Sequence, residues 1–185
     1  MPNASTAANL IRRAKAGDVA SIGVLYETHH PAVFRYLYYR VGDRQTAEDL
    51  TSEVFLRMVR SLAGYKDHGI SFQAWLFKIA WNLSVDYFRR TWASPQIELP
   101  ENLPASEAEP GAAVERRLTV DVLRWALSQL SVDQRDVVVL RFVADLSIAE
   151  VARALNRSDD AVKGLQRRGL MALRAILEDS EVPYV

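Results

Sequence analysis

Apolar residues recur along most of this chain at the spacings of three and four that are typical of α-helices. The strongest such pattern covers residues 71–90, where the apolar side chains form two adjoining helical faces. The first face holds Phe72, Trp75, Leu76, Ile79, Leu83 and Tyr87, and the second holds Phe77, Trp81 and Phe88. A helix that is apolar around most of its circumference must pack against neighbours on several sides. The pattern therefore predicts that residues 71–90 form a central helix.

The same helix keeps one narrow polar strip, whose members are spaced four, four and three residues apart. The strip consists of Lys78, Asn82, Asp86 and Arg89, and Arg90 follows it. In many proteins such a strip is only the solvated edge of a core helix. Lysine, arginine and asparagine are also the side chains that contact phosphates and base edges in nucleic acids. Trp75 and Trp81 lie on the packed faces, so we interpret them as core residues rather than as stacking platforms for bases.

Three further helices are predicted before the central one, at residues 9–16, 18–41 and 44–62. Asp43 is suited to cap the third of these helices. In that third helix the apolar residues turn inward, while Asp49, Glu53 and Arg57 point outward. A short loop at residues 64–70, bounded by glycines, leads into the central helix. The chain has no convincing alternating pattern of a strand, so we predict an all-α fold.

The helical pattern fails after residue 92. Four prolines, at positions 95, 100, 104 and 110, alternate there with Glu, Ala and Ser, which is typical of an extended and mobile linker. We therefore predict two helical domains, a front domain at residues 1–92 and a back domain at residues 114–185, joined by an acidic, proline-rich linker at residues 93–113.

Two capping boxes predict helix starts in the back domain. In this motif a serine and a Gln or Glu three residues later each bond to the backbone amide of the other. The two boxes are Ser131 with Gln134 and Ser147 with Glu150. A helix at residues 114–129 is predicted to precede them, with Trp125 among its inward residues.

A helix-turn-helix pattern occupies the end of the back domain. Residues 148–155 form its short helix, and Asn156 can take the left-handed conformation that a tight turn needs. Ser158 is suited to cap the longer helix that follows, to about residue 178. The outer face of that helix carries Lys163, Gly164 and Arg167, flanked by Arg168 and Arg174. This face could be the solvated side of an ordinary helical hairpin, but its basic character favours DNA.

Charge is distributed unevenly, although Lys+Arg and Asp+Glu both number 23 in the 185 residues. Residues 1–90 hold 12 basic and 8 acidic side chains, and residues 116–185 hold 11 and 10. Residues 91–115 hold no Lys or Arg but five glutamates. The negative charge of the linker region therefore cancels the surplus of positive charge in the front domain. Zero net charge does not, for this reason, argue against nucleic-acid binding.

The sequence lacks the usual signs of a catalytic or metal site. It has no cysteine, and the adjacent His29 and His30 would diverge on a helix rather than share a metal. Asp49 and Glu53 share a face, but no base, metal ligand or nucleophile converges with them. We therefore predict no enzyme, no catalytic or metal-binding residues and no cofactor. No apolar run is long enough to span a membrane and no signal peptide is evident, so a cytoplasmic location without membrane insertion is expected.

Three segments together resemble an extracytoplasmic-function (group IV) sigma factor of the sigma-70 family. They are AEDLTSEVFLRMVRSL, FQAWLFKIAWNLSVDYFRR and, after a variable linker, LSVDQRDVVVLRFVADLSIAEVARALNRSDDAVKGLQRRGLMALR. The resemblance covers both predicted domains, with the segments in the family's order and spacing. It implies a protein that binds core RNA polymerase and directs promoter-specific transcription initiation.

The resemblance also implies roles for the candidate residues of the front domain. Asp49, Glu53 and Arg57 would bind the clamp helices of the polymerase β′ subunit. Asn82 would approach bases of the minus-ten promoter element on the non-template strand, together with the preceding loop. The cations Lys78, Arg89 and Arg90 would contact the backbone of that strand.

For the back domain, the resemblance implies that the last helix reads the minus-thirty-five element of promoter DNA. The contacting positions are Lys163, Gly164, Arg167 and Arg168. The implied partners are promoter DNA and core polymerase, through its β′ clamp helices and its β flap. The linker would lie in the polymerase's active-site and RNA-exit path, where acidic residues can imitate RNA. The sequence leaves open the target promoters, the inducing signal and whether an anti-sigma factor masks these surfaces.

Two other classes of protein are alternatives to a sigma factor. A one-component transcriptional regulator could use the same helix-turn-helix, but it needs a ligand cavity or a dimer face, and the sequence offers no clear candidate for either. An adaptor that binds only helical partners would leave Lys163 and Arg167 without a role. Capture by core polymerase, followed by run-off transcription, separates the three classes.

Overall fold

The computed structural model describes residues 4–66, 70–93 and 122–179. In chain order its helices are α1 (Ala4–Lys15), α2 (Val19–Val41), α3 (Arg44–Ser61), a 3₁₀ turn (Leu62–Gly64), α4 (Phe72–Ala93), α5 (residues 122–128), α6 (Val132–Phe142), α7 (Ile148–Leu155) and α8 (Asp159–Asp179). These ranges contain helices and no strands, so the all-α prediction is confirmed. The predicted linker lies outside the described residues apart from its first residue.

The helix ends follow local hydrogen bonds that the sequence predicts. The carboxylate of Asp43 accepts from the backbone amide of Thr46 at 2.7 Å and so caps α3. Hydrogen bonds from Thr46 also lower the pKa of this carboxyl group. Both predicted capping boxes are present, at the starts of α6 and α7. One boundary differs, because α1 begins at Ala4 rather than near residue 9. Alanine favours helix without contributing to an apolar period, and this explains the missed turn.

Helix α4 is the central helix of the front domain, as its two apolar faces predict. It packs against α2, α3 and α7. Its fully buried side chains include Leu76 and Phe77, and the ring of Tyr36 on α2 meets that of Phe77 edge-on, with centroids 5.6 Å apart. Buried aromatic residues of this kind contribute a large share of a small domain's apolar burial.

Helices α6, α7 and α8 form the core of the back domain, in which α7 and α8 are the predicted helix-turn-helix. Asn156 ends α7 in the left-handed conformation, with φ of 54°. Arg157 in the turn forms an ion pair with Asp133 of α6 at 2.7 Å. Gly169 of α8 faces α6 closely, because a Cβ atom at this position would lie 2.9 Å from Cγ2 of Val138. The crossing of α6 and α8 therefore depends on a residue without a side chain.

The prediction that Trp125 turns inward is wrong. Its side chain is 46% exposed, and the buried residues near it are Ala126, Leu127 and Leu130. The helix turns Ala126 and Leu127 into the core, and Arg124 reaches the hydroxyl of Tyr38 on α2. Neighbouring residues on a helix point about 100° apart, so Trp125 is carried toward solvent.

The front domain, α1–α4, and the back domain, α5–α8, touch each other, and Arg124 of α5 reaches Tyr38 of α2. Helix α4 packs on α7, and α2 packs on α6. None of the helices in the described ranges is long and apolar enough to cross a membrane.

Candidate nucleic-acid interface

The predicted polar strip of α4 lies at the surface of the front domain. Lys78, Asn82, Arg89 and Arg90 are all exposed. Arg89 forms an ion pair with Asp86, three residues earlier, at 3.0 Å. A lone surface pair of this kind is weak, so Arg89 can exchange it for a phosphate. The strip and the adjoining Arg90 therefore offer three cations, one carboxylate and one amide along one side of the central helix.

A groove opens beside the strip, between α3 and α4. It is open to solvent, has a volume of about 310 Å³ and is lined by Arg57, Arg60, Ser61, Ile79 and Asn82. The three α3 residues share a face because Arg60 and Ser61 lie three and four residues after Arg57. Ile79 and Asn82 are three apart on α4 and share a face for the same reason. Asn82 thus stands at the edge of a cleft that has an apolar wall and two guanidinium groups.

Arg60 and Ser61 line the groove but are not among the residues predicted from the sequence. The resemblance places Arg57 only on the polymerase-binding face, although Arg60 and Ser61 repeat its position one turn further along α3. That periodicity is a usable signal for a shared face. The sequence could not show that this face meets Asn82, since the meeting depends on how α3 crosses α4.

Arg57 belongs to the groove and also to the acidic face of α3. Its Nε donates to Oε1 of Glu53 at 2.8 Å, and the two side chains are 42% and 37% exposed. Asp49 lies one turn before Glu53 and is exposed. Leu56 follows at helical spacing and is 51% exposed. We call Asp49, Glu53 and Leu56 the acidic-apolar face, whose chemistry suits a protein partner with basic and apolar groups.

The loop before α4 is anchored at its two ends, while its residues 67–69 lie outside the described ranges. Tyr65 is buried, and its ring stands 5.0 Å from that of Trp75 and 5.6 Å from that of Phe72. The carbonyl oxygen of Tyr65 accepts a hydrogen bond of 2.5 Å from Nζ of Lys15. The interpretation of Trp75 as a core residue agrees with these ring contacts.

In the back domain, α8 turns its apolar side toward α6 and α7 and its basic side outward. Val162, Gly169 and Leu173 are buried. Arg167 and Arg168 are exposed on the other side, as is Lys163, which forms an ion pair of 3.0 Å with Asp160. Gly164 lies beneath the Arg168 guanidinium, since a Cβ atom there would be 3.3 Å from its Nη1. The four predicted residues therefore lie on or beside one basic surface.

Family models match both domains. Residues 25–94 match Sigma-70 region 2, and residues 126–175 match Sigma-70 region 4. The first match contains the groove, the polar strip and the acidic-apolar face. The second contains the helix-turn-helix and its basic surface.

Individual proteins are similar over most of the chain. The ECF RNA polymerase sigma factor BldN of Streptomyces coelicolor is 40% identical over 92% of this chain, which covers 65% of BldN's own length. The ECF RNA polymerase sigma factor SigX of Bacillus subtilis is 33% identical, over 84% of this chain and 82% of SigX. Among solved structures, CnrH in complex with the cytosolic domain of CnrY has the same fold, with a TM-score of 0.71 at 24% identity. That alignment covers 94% of this chain and 97% of CnrH.

Proposed function

Because this chain belongs to the ECF RNA polymerase sigma factors, we propose that it binds core RNA polymerase and directs initiation at specific promoters. In this proposal the front domain reads and helps to melt the minus-ten element, and the back domain reads the minus-thirty-five element. The main support for this proposal is the groove that Arg57, Arg60 and Asn82 line together. The proposal assigns no catalysis to the chain, and it places the protein in the cytoplasm, where polymerase and chromosome are.

The groove suits a base that has left a DNA duplex. Extruding a base costs a few kcal/mol, so the site must offer contacts that duplex DNA cannot make. Asn82 carries both a donor and an acceptor for a base edge, and Ile79 supplies an apolar wall. Arg57 and Arg60 can hold the neighbouring phosphates or stack on a base through their planar guanidinium groups.

The polar strip continues this surface along the non-template strand. Lys78, Arg89 and Arg90 are exposed cations that suit the sugar-phosphate backbone.

Because phosphate neutralisation supplies most non-specific affinity, a chain of zero net charge should bind free DNA weakly. Two domains that each bind DNA weakly have a higher effective concentration at a promoter once both are held on one polymerase. The proposal therefore places promoter recognition in the complex with polymerase rather than in the free chain.

Recognition of the minus-thirty-five element is assigned to α8. The second helix of a helix-turn-helix enters the major groove, where arginine can bond to both acceptors of a guanine. Arg167 and Lys163 point away from the core and suit this role, and Arg168 suits a phosphate. Because Gly164 has no side chain, the Arg168 guanidinium can lie over it on the face that would meet the DNA.

Attachment to polymerase is assigned to the acidic-apolar face, with the β′ clamp helices as the expected partner. Interfaces of this kind place apolar residues at the centre and charges at the rim. Leu56 would supply the apolar contact, while Asp49 and Glu53 would steer a basic partner surface. Any anti-sigma protein that regulates this chain would act by covering these surfaces.

The experiment that tests the proposal replaces Asn82 with alanine in a reconstituted polymerase. Asn82→Ala should bind core polymerase as the wild type does, but it should open the minus-ten region less, by about tenfold, if one base contact of 1–3 kcal/mol is lost. Permanganate footprinting of unpaired thymines on a cognate promoter measures the opening.

The matched control is Asn9→Ala, which removes the same exposed side chain from α1. It should open the promoter normally. If Asn82→Ala opens the promoter as well as the wild type does, Asn82 does not read a base. The polar strip is then only the solvated edge of α4. Failure of the wild-type chain to bind core polymerase, or to start transcription at any promoter, would reject the proposed function itself.

A further inference from the structure

An acidic residue lies within the basic surface of α8. Asp160, in the first turn of that helix, has a side chain that is 92% exposed. It precedes Lys163, Gly164 and Arg167 by three, four and seven residues, so these positions share one face of the helix. The buried residues of α8 lie on the opposite side. The carboxylate of Asp160 is therefore presented to the same ligand as the predicted DNA-reading side chains.

Stabilisation of the helix start does not require an acid at this position. Acidic side chains in the first turn interact favourably with the helix dipole, and Asp159 already supplies one there. The hydroxyl of Ser158 accepts a hydrogen bond of 3.2 Å from the backbone amide of Ala161, so α8 is capped without Asp160. A carboxylate on a DNA-facing surface repels phosphates. Asp160 therefore weakens DNA binding unless it contacts a base.

An ion pair holds the head groups of Asp160 and Lys163 side by side. Nζ of Lys163 lies 3.0 Å from Oδ1 of Asp160, and Lys163 is the carboxylate's one partner among the described residues. The ammonium group keeps two further donors and the carboxylate keeps further lone pairs, so both can bond outward without separating. The pair therefore presents an acceptor beside a donor at the surface of α8.

This arrangement matches the edge of one C·G base pair in the major groove. The cytosine N4 amino group is a donor there, and the neighbouring guanine O6 is an acceptor. Because these two atoms are hydrogen-bonded to each other, they lie about 2.9 Å apart. A carboxylate can accept from N4, while a lysine donates to O6 and N7 of guanine. The first residues of a recognition helix are the ones that reach base edges.

An A·T pair fits the same two groups less well. Its amino group, at N6 of adenine, lies between two acceptors, adenine N7 and thymine O4. A carboxylate that accepts from N6 therefore also faces the lone pair of N7. The lysine finds one acceptor, O4, beside the thymine methyl group, instead of the two that guanine offers. The pair of Asp160 and Lys163 therefore favours C·G over A·T.

We propose that Asp160 is a specificity-determining residue of α8, which selects one C·G pair of the minus-thirty-five element together with Lys163. The inference rests on the proposed function and deepens it, since it assigns a base preference to the same helix. Asp160 repels the phosphates of every sequence, and this repulsion is offset only where a cytosine offers its amino group. The residue thus lowers general affinity for DNA and raises selectivity.

Selection of duplexes with a randomised minus-thirty-five element by the reconstituted holoenzyme tests this preference. The wild-type chain should enrich C·G over A·T about tenfold at one position, the discrimination expected of one good base contact. Asp160→Asn should lose that preference, keep those at other positions and bind an average sequence more tightly, because a repelling charge is gone. Lys163→Met should relax the same position, because both head groups read one base pair.

The matched control is Asp159→Asn, which removes the same charge from the same turn of α8. Position 159 points about 100° away from position 160, so this variant should keep the wild-type base preferences. A contribution to helix stability alone would affect both variants alike. Relaxed preference at the same position in both variants would therefore contradict a specific role for Asp160.

A double-mutant cycle isolates the contact with the amino group. In the selected duplex the cytosine is replaced by 2-pyrimidinone, which lacks the 4-amino group. Wild-type holoenzyme should lose about tenfold in affinity, while Asp160→Asn should lose about twofold or less. The base pair itself is weakened equally in both measurements, so that effect cancels. Equal losses for the two proteins would overturn the inference.

The outcomes separate this inference from the proposed function. If wild-type holoenzyme selects promoters and Asp160→Asn retains every base preference, the inference is wrong and the proposed function stands. If the chain neither binds core polymerase nor starts transcription, the proposed function fails. The same selection with the free chain at low salt, where attraction to phosphates is strong, then tests the inference by itself. A free wild-type chain that shows no preference for C·G contradicts it.

Discussion

The hydroxyl of Tyr65 donates a hydrogen bond of 2.9 Å to the carbonyl oxygen of Ile70 and thereby ties together the two ends of the loop before α4. The ring of Tyr65 is buried against Phe72 and Trp75, so this tie is anchored in the core of the front domain. The loop enters α4 three turns before Asn82. A loop that helps to hold an extruded base must have fixed ends, and this hydrogen bond provides them.

Tyr65→Phe should therefore loosen the loop while leaving the front domain folded. Loss of one part-buried hydrogen bond should lower the free energy of unfolding by about 0.5–1.5 kcal/mol, measured by denaturant titration. Promoter opening, measured by permanganate reactivity, should fall by several-fold at unchanged polymerase affinity. Tyr26→Phe, at a tyrosine that is 44% exposed on α2, is the control and should alter neither quantity. Normal opening by Tyr65→Phe would mean that the loop does not take part.

Charge reversal on the acidic-apolar face should weaken attachment to polymerase. Asp49→Lys/Glu53→Lys places two cations where a basic partner surface is expected, and like charges across an interface cost several kcal/mol. Affinity for core polymerase in a fluorescence titration should fall at least tenfold, while circular dichroism stays helical. Glu27→Lys, at an exposed acid on α2, should bind as the wild type does. Unchanged affinity in the double variant would remove this face from the polymerase interface.

Replacement of Arg167 distinguishes base reading from phosphate binding. If Arg167 bonds to a guanine, Arg167→Ala should cost about 1–3 kcal/mol and relax the preference at one base pair. If it binds a phosphate, the loss should be similar for all sequences and the salt dependence should become shallower. Binding of holoenzyme to a set of minus-thirty-five variants measures both. Arg153→Ala, at an exposed arginine on α7, is the control. No change in either assay would mean that α8 faces solvent or protein.

Substitution of glycine by alanine should have opposite effects on stability at Gly169 and at Gly23. A methyl group on Gly169 would press against Val138 at 2.9 Å, and overpacking of this kind costs about 1–3 kcal/mol. Helix propensity returns up to about 1 kcal/mol, so Gly169→Ala should be destabilising on balance. Gly23 lies in α2, where an added methyl group would meet nothing within 4 Å, so Gly23→Ala should stabilise the protein by about 0.5–1 kcal/mol. Urea titrations that rank the two variants in the reverse order would contradict the close contact of α6 with α8.

The sequence by itself determined the helices, their ends and the faces they expose. The capping boxes at Ser131 and Ser147, the left-handed Asn156 and the exposed strip around Asn82 all follow from side chains within one or two turns of each other. Interactions at such short range depend on local geometry, which spacing reveals directly. The resemblance to a family also rested on these local patterns.

Only the tertiary structure decided which of those faces meet. Arg60 lines a groove with Asn82 because α3 crosses α4 there, and Trp125 is exposed because α5 buries Ala126 and Leu127 instead. Arg40 and Asp136 look like ordinary surface charges in the sequence, yet both are buried and form an ion pair between the two domains. Contacts between residues about 20 to 100 positions apart depend on how helices pack, and the side-chain spacing within one helix carries no information about its neighbour.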